Sequence, residues 1–465
     1  SITMSNAALK TNKHMVLAVT MVANFFNPFT GSAVNIALPQ IASDLQLHAG
    51  LMSWVTMAYL LTAASFLVPM GKLGDRIGRK KMFLWGNFAF MAGSFGCALS
   101  GAAAWLIGFR LLQGVGGAMM ISVSMAILMS VFEAGERGRV IGLNVASVYL
   151  GLSAAPVLGG ILTQYLGWRS LFYINGSVSV LVALGLYLVI RDEWKTREQG
   201  PFDWKGVLWY IPSVLLLMYG LSNLPGWPAL LMSLAGAGGL LWFIRLEMKT
   251  ALPVLDVRMF KQNLVYGLSN LSAFINYAAT FAVSFMLSLY LQYVHLLTPR
   301  DAGLILMIQP AVMALVSVGA GRLSDKWSAS ALASIGMAIS ALGLFLLIFL
   351  GQQTTFVYIL ASLATLGLGF GLFSSPNTNV VMSSVDKSLY GVASATLATM
   401  RNLGMLFSMA LASLAVHVFL GSRHMSADTT GEFLQASRLV FILFSAFCLL
   451  GVFTSMQRGR RIPVQ

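Results

Sequence analysis

Apolar runs of about 20 residues recur from one end of this 465-residue chain to the other, each long enough to cross a hydrocarbon core of roughly 30 Å. Fourteen are read, at 14–38, 51–70, 82–100, 104–131, 140–164, 170–190, 206–223, 229–246, 264–293, 302–320, 328–350, 355–384, 389–420 and 438–457. In lipid every backbone polar group must be bonded within the protein, which restricts spanning structures to helices and closed barrels. Runs of this length are helices. Composition agrees: 57% of residues are hydrophobic and only 9% charged, against about 25% charged in a soluble domain. The chain reads as an all-α polytopic membrane protein, and a soluble globule is excluded.

The formal charge of +14 is spread over short loops between spans. That pattern fits the positive-inside rule and argues against nucleic acid as a partner. With the N-terminus in the cytoplasm, 23 of the Lys and Arg residues fall in cytoplasmic segments and 4 (Arg169, Arg300, Arg423, Arg438) in outer loops. An even number of spans then places both termini inside. The apolar first span carries no small-residue cleavage site, so it is expected to direct insertion itself. Cys97 and Cys448 lie in apolar spans and read as packing residues. No metal or cofactor site is visible. The 15 acids all fall in loops or at span ends, which removes the paired carboxylates an intramembrane enzyme would need.

GKLGDRIGRKK (Gly71–Lys81) follows the second span and GRLSDK (Gly321–Lys326) follows the tenth. The shared order of Gly, base, Leu, small, Asp, base points to two repeated halves, with spans seven and eight inserted between them. The expected division is 1–190, 191–261 and 262–465. Repeated halves with a site at their interface are secondary-transporter architecture.

On these residues the chain resembles the major facilitator superfamily, in its fourteen-span drug:proton antiporter branch. GKLGDRIGRKK is similar to that family's loop between spans two and three, RLLQGVGGA (Arg110–Ala118) to its fourth-span motif, and GLSAAPVLGG (Gly151–Gly160) to its fifth-span antiporter motif, with Ala155 where glycine is usual. NIALPQI (Asn35–Ile41), WRSLFYIN (Trp168–Asn175), FDWKG (Phe202–Gly206) and YLQ (Tyr290–Gln292) also match. The resemblance implies two six-helix bundles plus two extra helices in a bacterial inner membrane. It implies a cytoplasmic latch of Gly71, Asp75, Arg76, Gly78 and Arg79, with Gly321, Arg322 and Asp325 as its counterpart. It also implies a bending, leak-tight fifth span carrying Gly151, Pro156, Gly159 and Gly160.

The residues themselves add the following. Gly71 and Gly78 allow a tight turn, and Asp75 suits either a bridge to a base or a helix N-terminus. Gly151, Ala155 and Gly159 put small groups on one helix face, and Pro156 permits a kink. Asn24, Asn27 and Asn35 share a face of the first span with Gly31. They serve either as interhelical glue or as the lining of a cavity, and the cavity is the preferred reading. Thr30 stands where related antiporters often carry an aspartate, which removes the usual proton carrier. Asn270, Tyr277 and Ser284 share a face of the ninth span, and Asn377 and Asn379 flank Pro376 in the twelfth.

Two arginines lie within spans. Arg110, with Gln113 one turn on, sits about 9 Å from the outer end of the fourth span by helical rise; the resemblance assigns it to proton coupling or to organising the central cavity. Arg401 is deeper, and a charge there costs at least ~2.5–3.5 kcal/mol unless it faces water or polar groups. No buried acid is available to either. The cavity is therefore expected to be net positive and to favour neutral or anionic amphipathic substrates. His417 is the titratable candidate for carrying protons. The sequence thus points to a monomeric exporter of small amphipathic molecules that works by alternating access with proton antiport. The alternative is a carrier for an endogenous anionic metabolite or lipid that uses no side-chain carboxylate for coupling.

Overall fold

The computed structural model describes residues 12–133, 137–189, 193, 201–324, 326–386 and 390–459. Among them the regular structure is helical. Among the described residues twelve helices are long and apolar enough to cross a membrane. Helix α1 (Lys13–Leu45) and helix α5 (Arg137–Leu166) are longer than most of these but fall outside the twelve. The three asparagines of α1 dilute its hydropathy, while in α5 the apolar stretch among the described residues is Leu150–Leu166.

The first six long helices are α1, α2 (Ala49–Ile77), α3 (Arg79–Leu99), α4 (Ala103–Val131), α5 and α6 (Arg169–Val189). Here α3 packs on α4 and α6, α2 on α4, and α1 on α5 and α6. Next come α7 (Trp204–Ser222), α8 (Trp227–Glu247) and the short α9 (Arg258–Gln262). The later helices are α10 (Leu264–Thr280), α11 (Val283–Leu289), α12 (Pro299–Leu306), α13 (Ile308–Leu323), α14 (Ala329–Leu347), α15 (Phe356–Ser383), α16 (Tyr390–Leu420) and α17 (Thr430–Gly459). They repeat the first pattern: α14 packs on α15 and α17, α13 on α15, and α10 on α16 and α17. Repeat meets repeat along two seams, α2 against α16 and α5 against α12.

Two spans that read as continuous in sequence are broken. The ninth separates into α10 and α11 and ends in one π turn, Tyr290–Val294. The amide freed at the break, Ala282 N–H, donates to Ser408 Oγ of α16 at 3.0 Å. The tenth separates at Met307 into α12 and α13. Pro310 explains that break, since it lacks an N–H and its ring crowds the carbonyl four residues earlier.

The α7–α8 pair is held together by glycine. A Cβ on Gly220 would meet the backbone of Ser233, and one on Gly236 would meet that of Leu217. The pair lies on the α2–α16 seam, where Trp54 and Tyr219 have ring centroids 5.3 Å apart. In the FDWKG stretch, Asp203 caps α7 by accepting from Gly206 N–H at 2.9 Å. The bare Gly206 leaves room for the buried Glu247 carboxylate, which accepts Leu255 N–H at 2.9 Å.

Candidate functional site

Arg110 is enclosed in the first repeat with no solvent exposure. Its Nε donates to the Val55 carbonyl at 2.9 Å and its Nη1 to Gln113 Oε1 at 2.6 Å. Gln113, also fully buried, donates onward to Ser94 Oγ at 2.8 Å. The guanidinium lies 4.6 Å from the Tyr59 ring centroid and 5.9 Å from that of Phe172. Tyr59 donates its hydroxyl to the side-chain oxygen of Asn27. One charge thus joins α1, α2, α3 and α4, stabilised by carbonyl oxygens and aromatic faces instead of a carboxylate. Charge-assisted hydrogen bonds and desolvated cation–π contacts are the stronger members of their classes.

The asparagine face of α1 divides. Asn24 donates to Ser124 Oγ (2.7 Å) and Asn144 Oδ1 (2.6 Å), and Asn27 to the Gly117 carbonyl (3.4 Å). Thr30 returns its hydroxyl to Phe26 O at 2.8 Å. These bonds stay within the first repeat. Asn35 reaches across: it accepts from Thr56 (2.7 Å) and donates to Ser284 of α11 (3.3 Å), while its carbonyl accepts from Ser288 (2.7 Å).

Asn35 belongs to a wider closure at the end of the bundle away from the chain termini, called distal below. Gln292 Nε2 donates to Ile36 O at 3.0 Å, and Ser53 and Ser413 hydroxyls lie 2.7 Å apart. Ala49 N–H donates to Arg423 O at 2.9 Å, and Arg300 N–H to Gln164 Oε1 at 3.2 Å. The fifth-span motif completes the closure by shape. A Cβ on Gly151 would strike Phe25 of α1, and one on Gly159 would crowd Ala33; Ala155 is fully buried between them. On the other side, Gly160 faces the Pro299 carbonyl, and Gly303 of α12 faces the Pro156 carbonyl. Small residues thus let α5 lie against its own repeat and the opposite one at once.

In the second repeat, Asn270 donates to Tyr266 O (3.0 Å) and Asn377 to Ser269 O (3.2 Å). Tyr277 is buried edge-on against Phe370, with centroids 5.1 Å apart, in a cluster with Met313 and Met405. Asn379 is exposed and bonds Ser324 Oγ at 3.3 Å, toward the terminal end of the bundle. Arg401 is half-buried on α16, one turn from Gly404, whose missing Cβ lets α16 close on Phe274 and Tyr277. Among the described residues Arg401 has neither a hydrogen bond nor an ion pair. His417 is half-buried in the last turn of α16.

At the terminal end, Asp75 pairs with Arg79 at 2.7 Å, and Arg79 Nη1 also donates to Ala126 O (3.2 Å) and Ser130 Oγ (2.9 Å). Gly71 lies beside Ser122. Arg76 stands over the Phe202 ring at 5.4 Å, which ties the loop to the start of α7. Gly78 has φ 124°, a left-handed conformation that favours glycine, and the Glu193 carboxylate fills the space a Cβ would take. Glu193 accepts Lys80 N–H at 2.9 Å, placing an anion at the N-terminus of α3. Of the matching loop, Gly321 sits against Ser375, while Asp325 and the Arg322 side chain lie outside the described residues.

Sequence reasoning did not single out Tyr59, Thr56, Ser94, Ser288 or Glu193 as functional. In WRSLFYIN the contact lies with α1: Trp168 Nε1 donates to Asp44 at 2.8 Å and Trp168 N–H to Gln40 at 2.8 Å.

Two helix bundles of repeated connectivity, joined by a hydrogen-bonded polar seam, define a secondary-transporter fold. The sequence profile described as Major Facilitator Superfamily matches residues 20–409 and 269–461, and the chain belongs to that family. It is 29% identical over 444 residues to the riboflavin transporter RibZ of Clostridioides difficile (strain 630), covering 95% of this chain and 96% of that one. It is 31% identical to the drug efflux pump JefA of Mycobacterium tuberculosis (strain H37Rv), covering 84% and 77%. In fold it is similar to a bacterial homolog of the human lysosomal transporter Spinster, solved inward-facing and unoccupied, with a TM-score of 0.70, 16% identity and coverage of 96% and 97%. The protein is a multi-pass membrane transporter of small molecules and not an enzyme.

Proposed function

We propose that the protein is a proton-coupled exporter of small amphipathic molecules, neutral or anionic, working by alternating access. In this reading all fourteen long helices span a bacterial inner membrane, both termini are cytoplasmic, and 1–190 and 262–465 are the moving bundles, joined by 191–261. The distal end is then the outer face, and the conformation is closed outward. The observation that carries the reading is that closure: side chains and glycines of both repeats meet in the distal half, while the half-buried Arg401 has no partner among the described residues. An unpaired guanidinium deep in the span favours a water-filled cavity of positive potential. Arg110 then acts as the rigid organiser of the first bundle beside that cavity. Tyr277, Asn377 and Arg401 supply its aromatic, amide and cationic contacts.

A second reading has support of its own. The relative covering 95% of this chain is named for riboflavin transport, which favours an endogenous metabolite as cargo. Proteoliposome flux under an imposed pH gradient separates the readings. Paired assays would use a lipophilic cation, an amphipathic anion and a flavin. Gradient-driven flux of the anion is the expected result. Strong gradient-driven flux of the cation overturns the positive-cavity argument, and flux of the flavin alone moves the assignment to the second reading.

A further inference from the structure

The distal closure contains three imidazoles contributed by both repeats. His48 caps the start of α2 in the first repeat, His417 lies in the last turn of α16, and His424 lies in the connector that follows α16. The backbone draws them together. Ala49 N–H donates to Arg423 O at 2.9 Å, and a ring nitrogen of His424 lies 3.1 Å from Leu47 O. Gly421 N–H donates to His417 O at 2.9 Å, and Gly421 adopts the left-handed conformation with φ 57°. The carbonyl of Gly421 then faces Gly50, beside the His48 ring. Among the described residues His48 Nδ1 is enclosed there without a hydrogen-bond partner.

We propose that His48, His417 and His424 form a proton-binding site straddling the two repeats, and that its protonation opens the distal closure. The proposal rests on the exporter reading only for which side of the membrane supplies the protons. Neutral imidazoles tolerate this proximity, whereas two or three imidazolium ions repel one another across the seam. The charged groups around the trio do not offset that repulsion. Asp44 of α1 is bonded to Trp168 and lies 3.4 Å from Arg169; Glu432 of α17 is paired with Arg423 at 2.8 Å. Asp428 is exposed in the connector, and Arg423 adds a further cation. Burial, and then the proximity of His424 and His417, hold His48 below its ordinary value of 6.5. The sign follows: above 6.5 His48 is neutral whether the seam is closed or open, and as pH falls below 6.5 the open seam takes up the proton first. Acid on the distal side therefore favours opening. This arrangement supplies a coupling device to a chain with no acid in its membrane core.

The test places nitroxide labels at Ser43 and Ser422, both exposed and on opposite repeats, in the full chain in nanodiscs without substrate. Between about pH 7.5 and about pH 5.5, the range in which imidazoles titrate, the distance distribution should shift to longer values. His48→Gln should lower the open fraction at the acid end and shrink the acid-driven shift, because the group held below its ordinary value in the closed seam is gone. The triple variant His48→Gln, His417→Gln, His424→Gln should abolish the shift. If the triple variant does not fold, His424→Gln alone, at an exposed position, should reduce the shift, and an unchanged shift counts against the proposal. A wild-type protein whose distance is independent of pH overturns the proposal, as does a folded triple variant that opens with the wild-type midpoint. The two readings fail separately. Acid-driven separation without flux of any amphiphile leaves the histidine site standing and sinks the exporter. Proton-driven flux in a triple variant that still opens with acid does the reverse.

Discussion

Replacing Gly303 with alanine tests the closure at its tightest point. Gly303 of α12 faces the carbonyl of Pro156 in α5, and an added Cβ would lie closer than 3.0 Å to that oxygen. A carbon and a carbonyl oxygen are comfortable at about 3.3–3.6 Å, and a helix carbonyl has no rotamer by which to withdraw. The helices must therefore separate, and Gly160, which meets the Pro299 carbonyl in the same way, separates with them. Overpacking of this kind costs about 1–3 kcal/mol. The strain exists only where α5 and α12 touch, so it raises the free energy of the distally closed state alone. A difference of that size redistributes two conformations by about 5–150-fold. Labels at the exposed positions Leu166 and Leu296, on opposite repeats at the distal end, report the change by pulsed electron resonance. Gly303→Ala should populate a longer distance, Gly160→Ala should do the same, and both should slow flux. Gly108→Ala is the control, because nothing lies within 4 Å of its added Cβ. A folded Gly303→Ala protein with the wild-type distribution, or a control with the same shift, would refute the reasoning.

Other substitutions separate stability from transport. Arg110→Lys keeps the charge but cannot serve Val55 O and Gln113 Oε1 together; losing one charge-assisted bond costs about 1.5–3 kcal/mol, which a lower Tm in detergent should register. Arg401→Gln removes no hydrogen bond, so Tm should hold while binding of an amphipathic anion, followed by calorimetry, weakens about tenfold, equivalent to about 1.4 kcal/mol. Asp75→Asn breaks a partly exposed pair worth less than about 1 kcal/mol to stability; flux should nevertheless fall severalfold, and an unchanged rate would remove the latch role. Gly78→Ala combines a left-handed backbone with a clash against Glu193, and about 1–3 kcal/mol of strain should appear as a lower Tm, relieved in part by Glu193→Ala.

Much of the architecture was legible because lipid leaves the backbone few options. Span length is counted directly, and the helix pairings after α9 follow the same order as those before α7. Gly151, Gly159 and Gly160 were legible as small residues; which carbonyl each meets was not, since the partners lie on α1 and α12. Arg110 announced itself as a costly charge. Its partner at 2.9 Å is the carbonyl of Val55, a backbone atom, and any residue type at position 55 would present one. The break between α10 and α11 was hidden for a related reason. It depends on a hydroxyl from Ser408, more than a hundred residues away, taking the freed amide. Asp75 was open between a basic partner and a helix N-terminus; the structure gives it Arg79 and gives the N-terminus of α3 to Glu193.

The α7–α8 pair covers the seam between α2 and α16, where Trp54 meets Tyr219. Among the described residues no comparable pair covers the seam between α5 and α12. A two-fold machine thereby acquires a front and a back within the plane of the bilayer. A molecule dissolved in lipid meets one junction roofed by helices and, among the described residues, the other bare.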